Sequence, residues 1–223
     1  MLDVDSGQLI RFLTVAAIPL LFAITVHEVA HGWVARRFGD PTAERAGRLT
    51  LNPVKHIDPV GTILVPLMLL IFSGGRMMFG WAKPVPVAFG NLRNPRRDMI
   101  LVAAAGPASN LLMATGWASL AALDNFVLGL DGATGAWLRG VCVAGIQFNV
   151  ILAVFNMLPV PPLDGGRVLA GLLPPPGAMF LHRLEPFGLL IIIGLMVSGL
   201  LWPLIEPFLL FFVDFFWALA GFG

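Results

Sequence analysis

The feature that most constrains this chain is a series of long apolar stretches. They cover about residues 9–38, 59–79, 99–123, 136–158, 186–202 and 208–222. The longer ones approach the roughly 20 residues that a helix needs to cross a hydrocarbon core. Only 12% of the 223 residues are charged and 57% are hydrophobic, against about 25% and 45–50% in a soluble domain. So little polar surface cannot cover a water-soluble globule of this size. The expected fold is an all-α polytopic membrane protein with about five to six membrane segments. Disorder is excluded, and the lone Cys142 excludes a disulfide scaffold. Fourteen basic against thirteen acidic residues give a net charge of +1, so nothing suggests nucleic acid as a partner. The first stretch is too long for a signal peptide, and Arg11 is its only Lys or Arg before Arg36.

The few charges sort the loops. Residues 36–58 carry Arg36, Arg37, Arg45, Arg48 and Lys55, and residues 76–97 carry Arg76, Lys83, Arg93, Arg96 and Arg97. The N-terminal tail holds Asp3 and Asp5, and the 124–138 loop has Asp124 and Asp131 without a Lys or Arg. The positive-inside rule places both basic loops in the cytoplasm and the other two outside, in a multi-pass protein of the cell membrane. The 59–79 stretch then lies between two loops on one side. It is expected to be re-entrant, as Pro59, Gly61, Pro66, Gly74 and Gly75 suit a broken segment; a full span is the competing reading.

Within the first stretch lies His27-Glu28-Val29-Ala30-His31, an H-E-x-x-H motif. On a helix, positions four apart sit about 40° apart around the axis and one turn along it. Both imidazoles can reach one Zn²⁺, with Glu28 beside them as a general base for water. Three polarisable groups in a membrane span are costly unless partnered. Catalytic zinc needs a third protein ligand. The remaining histidines, His56 and His182, sit in polar loops and are assigned no ligand role, while Asp58, Asp124 and Asp164 are candidate acids. Asp164 is favoured: prolines at 159, 161 and 162 interrupt the end of a span before it, and Gly165-Gly166 follow. Irregular backbone at membrane depth is tolerated where it lines a cavity. An Asp-Gly turn or a helix cap would also account for Asp164.

These motifs, with Asn156-x-x-Pro159 and Leu163-Asp164-Gly165-Gly166, resemble those of the site-2 protease family of intramembrane zinc metalloproteases. Gly106-Pro107-Ala108-Ser109-Asn110 also matches, and Leu51-Asn52-Pro53 through Asp58-Pro59 and Gly80-Trp81-Ala82-Lys83-Pro84 resemble its compact prokaryotic members without PDZ or CBS domains. The matches span about residues 23–170. The resemblance implies one zinc ion held by His27, His31 and Asp164, Glu28 as the base, and a role near the scissile peptide for Asn156. Asn156 would donate to the developing oxyanion or hold the substrate backbone. The implied reaction is hydrolysis of a peptide bond in or near a transmembrane segment, as in regulated intramembrane proteolysis, after local unwinding of the substrate. The chain reads as one domain, with a catalytic core over 1–173 completed by helices in 174–223. A re-entrant 59–79 also lets Asp164 emerge at the cytoplasmic end beside His31, whereas a crossing would carry it to the other side.

The 81–89 segment reads as an extended strand beside residues 45–51. Pro84 and Pro86 remove donors from one edge, leaving the N–H groups of Val85 and Val87 on the other to pair with unwound substrate. A proline-rich connection is the plainer reading. Ala103–Ala105, Gly106 and Ala108 form a small face permitting close helix approach. Asn110 is kept as a candidate substrate contact, with positioning of the active-site helix or gluing of two helices favoured. Arg93–Arg97 is expected to meet anionic lipid heads. The alternative function is a metal or proton transporter built on His27, His31 and Asp164; it gives Glu28 no task, and 186–222 offer only Glu206 and Asp214 as further intramembrane acids.

Overall fold

Apolar sequence and internal backbone bonding produce an all-helical chain. The computed structural model describes residues 7, 10, 13–72 and 80–222. Its principal helices are α1 (Ile18–Arg37), α2 (Val65–Phe72), α3 (Pro95–Leu123), α4 (Gly132–Asn156), α5 (Asp164–Leu172), α6 (Pro175–Leu184), α7 (Gly188–Val197) and α8 (Leu201–Ala220). Five segments among the described residues are long and apolar enough to cross a membrane: Thr14–Arg37, Pro95–Leu128, Gly132–Asn156, Pro175–Val197 and Leu201–Ala220. The protein is therefore integral and multi-pass. Large apolar side chains such as Phe22, Leu112, Phe208 and Phe211 point outward, as a lipid solvent permits.

Helix α3 is the centre of the bundle, packing on α1, α4, α5 and α8. In lipid, close approach comes from small side chains rather than from hydrophobic expulsion. Ala114, Ala118 and Ala121 on α3 meet Cys142, Ile146 and Val150 on α4, with Ile205, Leu209 and Phe216 of α8 closing the layer. A Cβ on Gly145 would lie 2.5 Å from the Trp117 ring, so only glycine admits the indole between α3 and α4. Pro107 lies inside α3, where its missing N–H removes one helical bond and favours a bend.

The link from α1 to α3 leaves and returns at one end of the bundle: the Arg93 N–H donates to the Phe38 carbonyl at 3.0 Å. Asp40, fully buried, ties this junction by accepting from the Thr42 hydroxyl and N–H, the Ala88 N–H and the Asn91 amide. Burial pushes its carboxyl up, but the bonds from Thr42, Asn91 and Ala88 more than offset that and hold it below the usual carboxylate range. Further along, Asp58 caps a turn at Pro59–Leu64 that continues into α2. The chain is back beside its starting point at Gly80–Trp81, where the Trp81 N–H donates to the Gly61 carbonyl at 3.0 Å. The rest of the 59–79 stretch, residues 73–79, lies outside the described residues.

Three expectations are revised. No described residue in 45–51 or 81–89 belongs to a strand; the Arg48 guanidinium joins the two regions instead, donating to the carbonyls of Lys55, Lys83 and Pro84. The last two stretches divide differently from expectation: α8 runs unbroken from Leu201 through Pro207, and the break falls at Gly199, whose φ is +74°. One proline removes one bond, and a transmembrane helix tolerates that. His56, expected in a polar loop, is 2% exposed and bonded through Nε2 to the Thr50 carbonyl.

The Gly145–Trp117 contact gives a direct check on this packing. Gly145→Val should force α3 and α4 apart and lower the melting temperature in detergent by several degrees, as overpacking costs about 1–3 kcal/mol. A conservative surface change such as Leu112→Ile should leave it unaltered.

Candidate metal centre and active site

Helical spacing places His27 and His31 on the same face of α1, turned toward α3. Their Nε2 atoms lie 3.1 Å apart. Asp164 reaches them from the N-terminus of α5, its Oδ2 lying 3.2 Å from His27 Nε2 and 3.3 Å from His31 Nε2. The local chain explains how it gets there. After α4 the backbone doubles back so tightly that a Cβ on Gly165 would lie 2.2 Å from the Met157 carbonyl, and one on Gly166 would lie 2.6 Å from the Pro161 nitrogen. Glycine is thus needed at both positions after Asp164 to fold the acid under the histidines.

Partners of the other ring nitrogens fix the tautomers. His31 Nδ1 donates to the Val102 carbonyl at 2.7 Å, and His27 Nδ1 to the Asn110 Oδ1 at 2.6 Å. A carbonyl accepts only; the Asn110 Oδ1 is assigned as acceptor because its Nδ2 donates to the Ala23 carbonyl and to Asn149 Oδ1. Both Nδ1 atoms therefore carry the protons, and both Nε2 lone pairs face Asp164.

The donor set fits zinc. Three ligand atoms lie mutually 3.1–3.3 Å apart, close to the ~3.3 Å edge of a tetrahedron with metal–ligand bonds of about 2.0–2.1 Å. Asp164 Oδ2 is buried without a hydrogen-bond partner, a costly state for a carboxylate unless a cation is present. Space for the ion is kept by Gly106, since a Cβ there would lie 2.4 Å from His31 Nε2 and 2.6 Å from His27 Nε2. These three residues are the group of His, Cys, Asp and Glu side chains whose ligand atoms converge among the described residues.

The remaining expected residues distribute unevenly. Glu28, half-buried on α1, accepts the Val85 N–H at Oε2, 2.7 Å away. The N–H that Val85 was expected to offer a substrate is thus already taken. Val87 has no hydrogen-bond partner among the described residues. Asn110, expected as a candidate substrate contact or as a positioning residue, is fully buried, with its oxygen on His27 Nδ1 and its amide hydrogens on the Ala23 carbonyl and Asn149 Oδ1. Asn156, at the end of α4, donates back to the Leu152 carbonyl at 2.9 Å. Asn149 was missed, although an asparagine inside an apolar span is itself the signal. It accepts from Asn110 and donates to the Gly145 carbonyl, carrying the orientation of His27 across to α4. The ligand-sparing role of Gly106 was missed too, because its motif reads equally as helix packing.

A fold of membrane helices with this centre defines a class, and comparison with known proteins names it. The sequence profile described as peptidase family M50 matches residues 133–195. Putative zinc metalloprotease YwhC of Bacillus subtilis (strain 168) is 40% identical over 194 residues, covering 85% of this chain and 84% of its own. Putative zinc metalloprotease Rip2 of Mycolicibacterium smegmatis is 32% identical over 199 residues, with 87% and 71% covered. No solved structure matches. The chain belongs to peptidase family M50, the site-2 protease family, and its cofactor is zinc.

Two substitutions separate the ion's space from its ligands' orientation. Gly106→Ala should abolish zinc retention, measured by metal analysis of the purified protein. Asn110→Ala should keep the ligands but weaken zinc affinity by about 10–100-fold in a chelator competition.

Proposed function

We propose that the chain hydrolyses a peptide bond in or near a membrane-spanning segment of a protein substrate, as a step in regulated intramembrane proteolysis. The observation that carries this reading is an orphaned buried carboxylate, Asp164, facing the Nε2 lone pairs of His27 and His31 on a membrane helix, with Glu28 next to His27 in the chain. His27, His31 and Asp164 would hold the ion. When bound, zinc supplies Lewis acidity, polarising a substrate carbonyl and making water more acidic. Glu28 takes the proton from the attacking water and returns it to the leaving amine nitrogen. Asn156 sits at the α4 end of the turn that delivers Asp164, and on this reading its amide swings from Leu152 to hold the substrate backbone or the developing oxyanion. The N–H of Val87, without a partner among the described residues, pairs with unwound substrate, which must be extended before a peptide bond is accessible.

The proposed setting is the cytoplasmic face of the cell membrane. Arg36 and Arg37 end α1 fewer than three turns beyond His27, and the basic loops cluster at that end of the bundle. Re-entrance of 59–79 is supported by the Trp81–Gly61 bond, which returns the chain to the start of the stretch. The helices after residue 173 complete one domain: Leu181 of α6 packs with Ala35 of α1 and Met99 of α3.

Purified wild-type chain should cleave a single-span substrate, and a chelator should stop it. Glu28→Gln should lower the rate by at least about 1000-fold while zinc content stays at one ion per chain. Cleavage at the native rate by that variant would remove Glu28 as the base. For topology, a cysteine at Phe72 labelled exclusively from outside the cell would contradict re-entrance.

A further inference from the structure

The segment after the 59–79 stretch is held more firmly than a connecting loop requires. Its Lys83 N–H donates to the His56 carbonyl at 2.9 Å. The buried Arg48 guanidinium takes the Lys83 and Pro84 carbonyls on one side of Val85, at 2.8 and 3.3 Å. The buried Asp40 carboxylate takes the Ala88 N–H at 2.7 Å on the other side. Between these two charges, Val85 lies between two prolines: Pro84 has its φ fixed, and Pro86 confines Val85 to extended conformations. The Val85 side chain packs on α1 one turn beyond Glu28, where a Cβ on Gly32 would lie 2.8 Å from its Cγ1. All of this presents a single N–H, and that N–H meets Glu28 Oε2 at 2.7 Å.

We propose that Asp40 and Arg48 are positioning residues for peptide hydrolysis, clamping the backbone on either side of Val85 so that its N–H holds the Glu28 carboxylate in place. The inference rests on Glu28 as the base. A glutamate on a helix surface otherwise samples several rotamers, and one charge-assisted bond from a fixed donor selects among them. Two buried charges spent on a loop outside the metal ligands have a use if the donor's place matters, because a displacement of about 1 Å at a reacting group costs on the order of 100-fold in rate. The clamp also sorts the segment's donors: Val85 serves the enzyme's own carboxylate, and Val87 keeps its N–H.

The test replaces Val85 by its α-hydroxy acid in the full zinc-loaded chain, turning that N–H into an ester oxygen and leaving the side chain intact. With a fluorogenic single-span peptide cleaved by the wild type, kcat should fall about 10–100-fold, with KM, zinc content and melting temperature unchanged. Asp40→Asn sets an amide donor against the N–H groups that Asp40 accepts. It should lower kcat in the ordinary chain and add nothing in the ester background, because both changes act through one bond. Should Asp40→Asn fail to fold, Arg48→Gln in the two backgrounds gives the same comparison. Unchanged kcat in the ester, or the same fold loss from Asp40→Asn in both backgrounds, overturns the proposal. A loss confined to KM also overturns it, since the N–H would then serve substrate. Glu28→Gln separates the failures: an active Glu28→Gln removes the base itself, whereas an inactive one beside an unimpaired ester removes only the clamp.

Discussion

The close approach of α1 and α3 at Gly106 is the constraint from which the rest of the site follows. There is no room for a methyl group between that backbone and the two Nε2 atoms. At this distance α3 supplies both Nδ1 partners, the Val102 carbonyl and the Asn110 amide oxygen, two turns apart along one helix. A wider gap would release both bonds together, and each ring would then be free to turn or to exchange tautomers. Asn149 extends the same arrangement to α4. Three helices are thus locked in register by side chains whose other ends define a metal site, so packing and chemistry share one set of contacts.

In a bilayer the logic of partnering is strict, and it makes the exception informative. The amides of Asn110 and Asn149 and the carboxylates of Asp98 and Asp124 are nearly or wholly buried, and each has hydrogen-bond partners. Asp124 also meets Arg139 at 3.3 Å. Asp164 Oδ2 alone among these carboxylate atoms is enclosed without a partner, 3.2–3.3 Å from two nitrogens that present lone pairs. Acceptors facing acceptors repel. Such a cluster is stable only with something electron-poor among them, and tetrahedral zinc has the matching edge length.

How legible this was in the sequence depended on whether the information was local. The pairing of His27 with His31 follows from helical spacing, and the apolar lengths located α1, α3 and α4, because both are short-range properties of one segment. Asp164 was reachable because proline and glycine around it announce an irregular turn. Asn149, Gly106 and Asp40 were not assigned functions, since the partners that tie them to the site, Asn110, His31 and Ala88, lie 39, 75 and 48 residues away in the chain. The proline pair at 84 and 86 suggested a strand with one open edge, yet the Val85 N–H on that edge is bonded to Glu28, and the Arg48 side chain makes the connection instead. Near the C-terminus the apolar lengths divided the chain in the wrong place: a helix in lipid runs through Pro207, and the break falls at Gly199.

The path of the chain also explains why the reactive groups sit toward an end of the bundle. Helix α1 delivers the histidines fewer than three turns before its terminus, α3 begins beside that terminus, and the irregular turn after α4 returns to it. The non-helical backbone of residues 38–58 and 80–94 is therefore gathered at that end, where Asp40, Arg48, Asp58 and Glu28 bond to it. Hydrolysis needs water, and exposed backbone is tolerated only where water or protein can bond to it. The same region that lets a chain bend in lipid is the region that can supply a peptide bond with water. An active site built at mid-bilayer from regular helices would have neither the turn to carry Asp164 nor the loop to carry Val85.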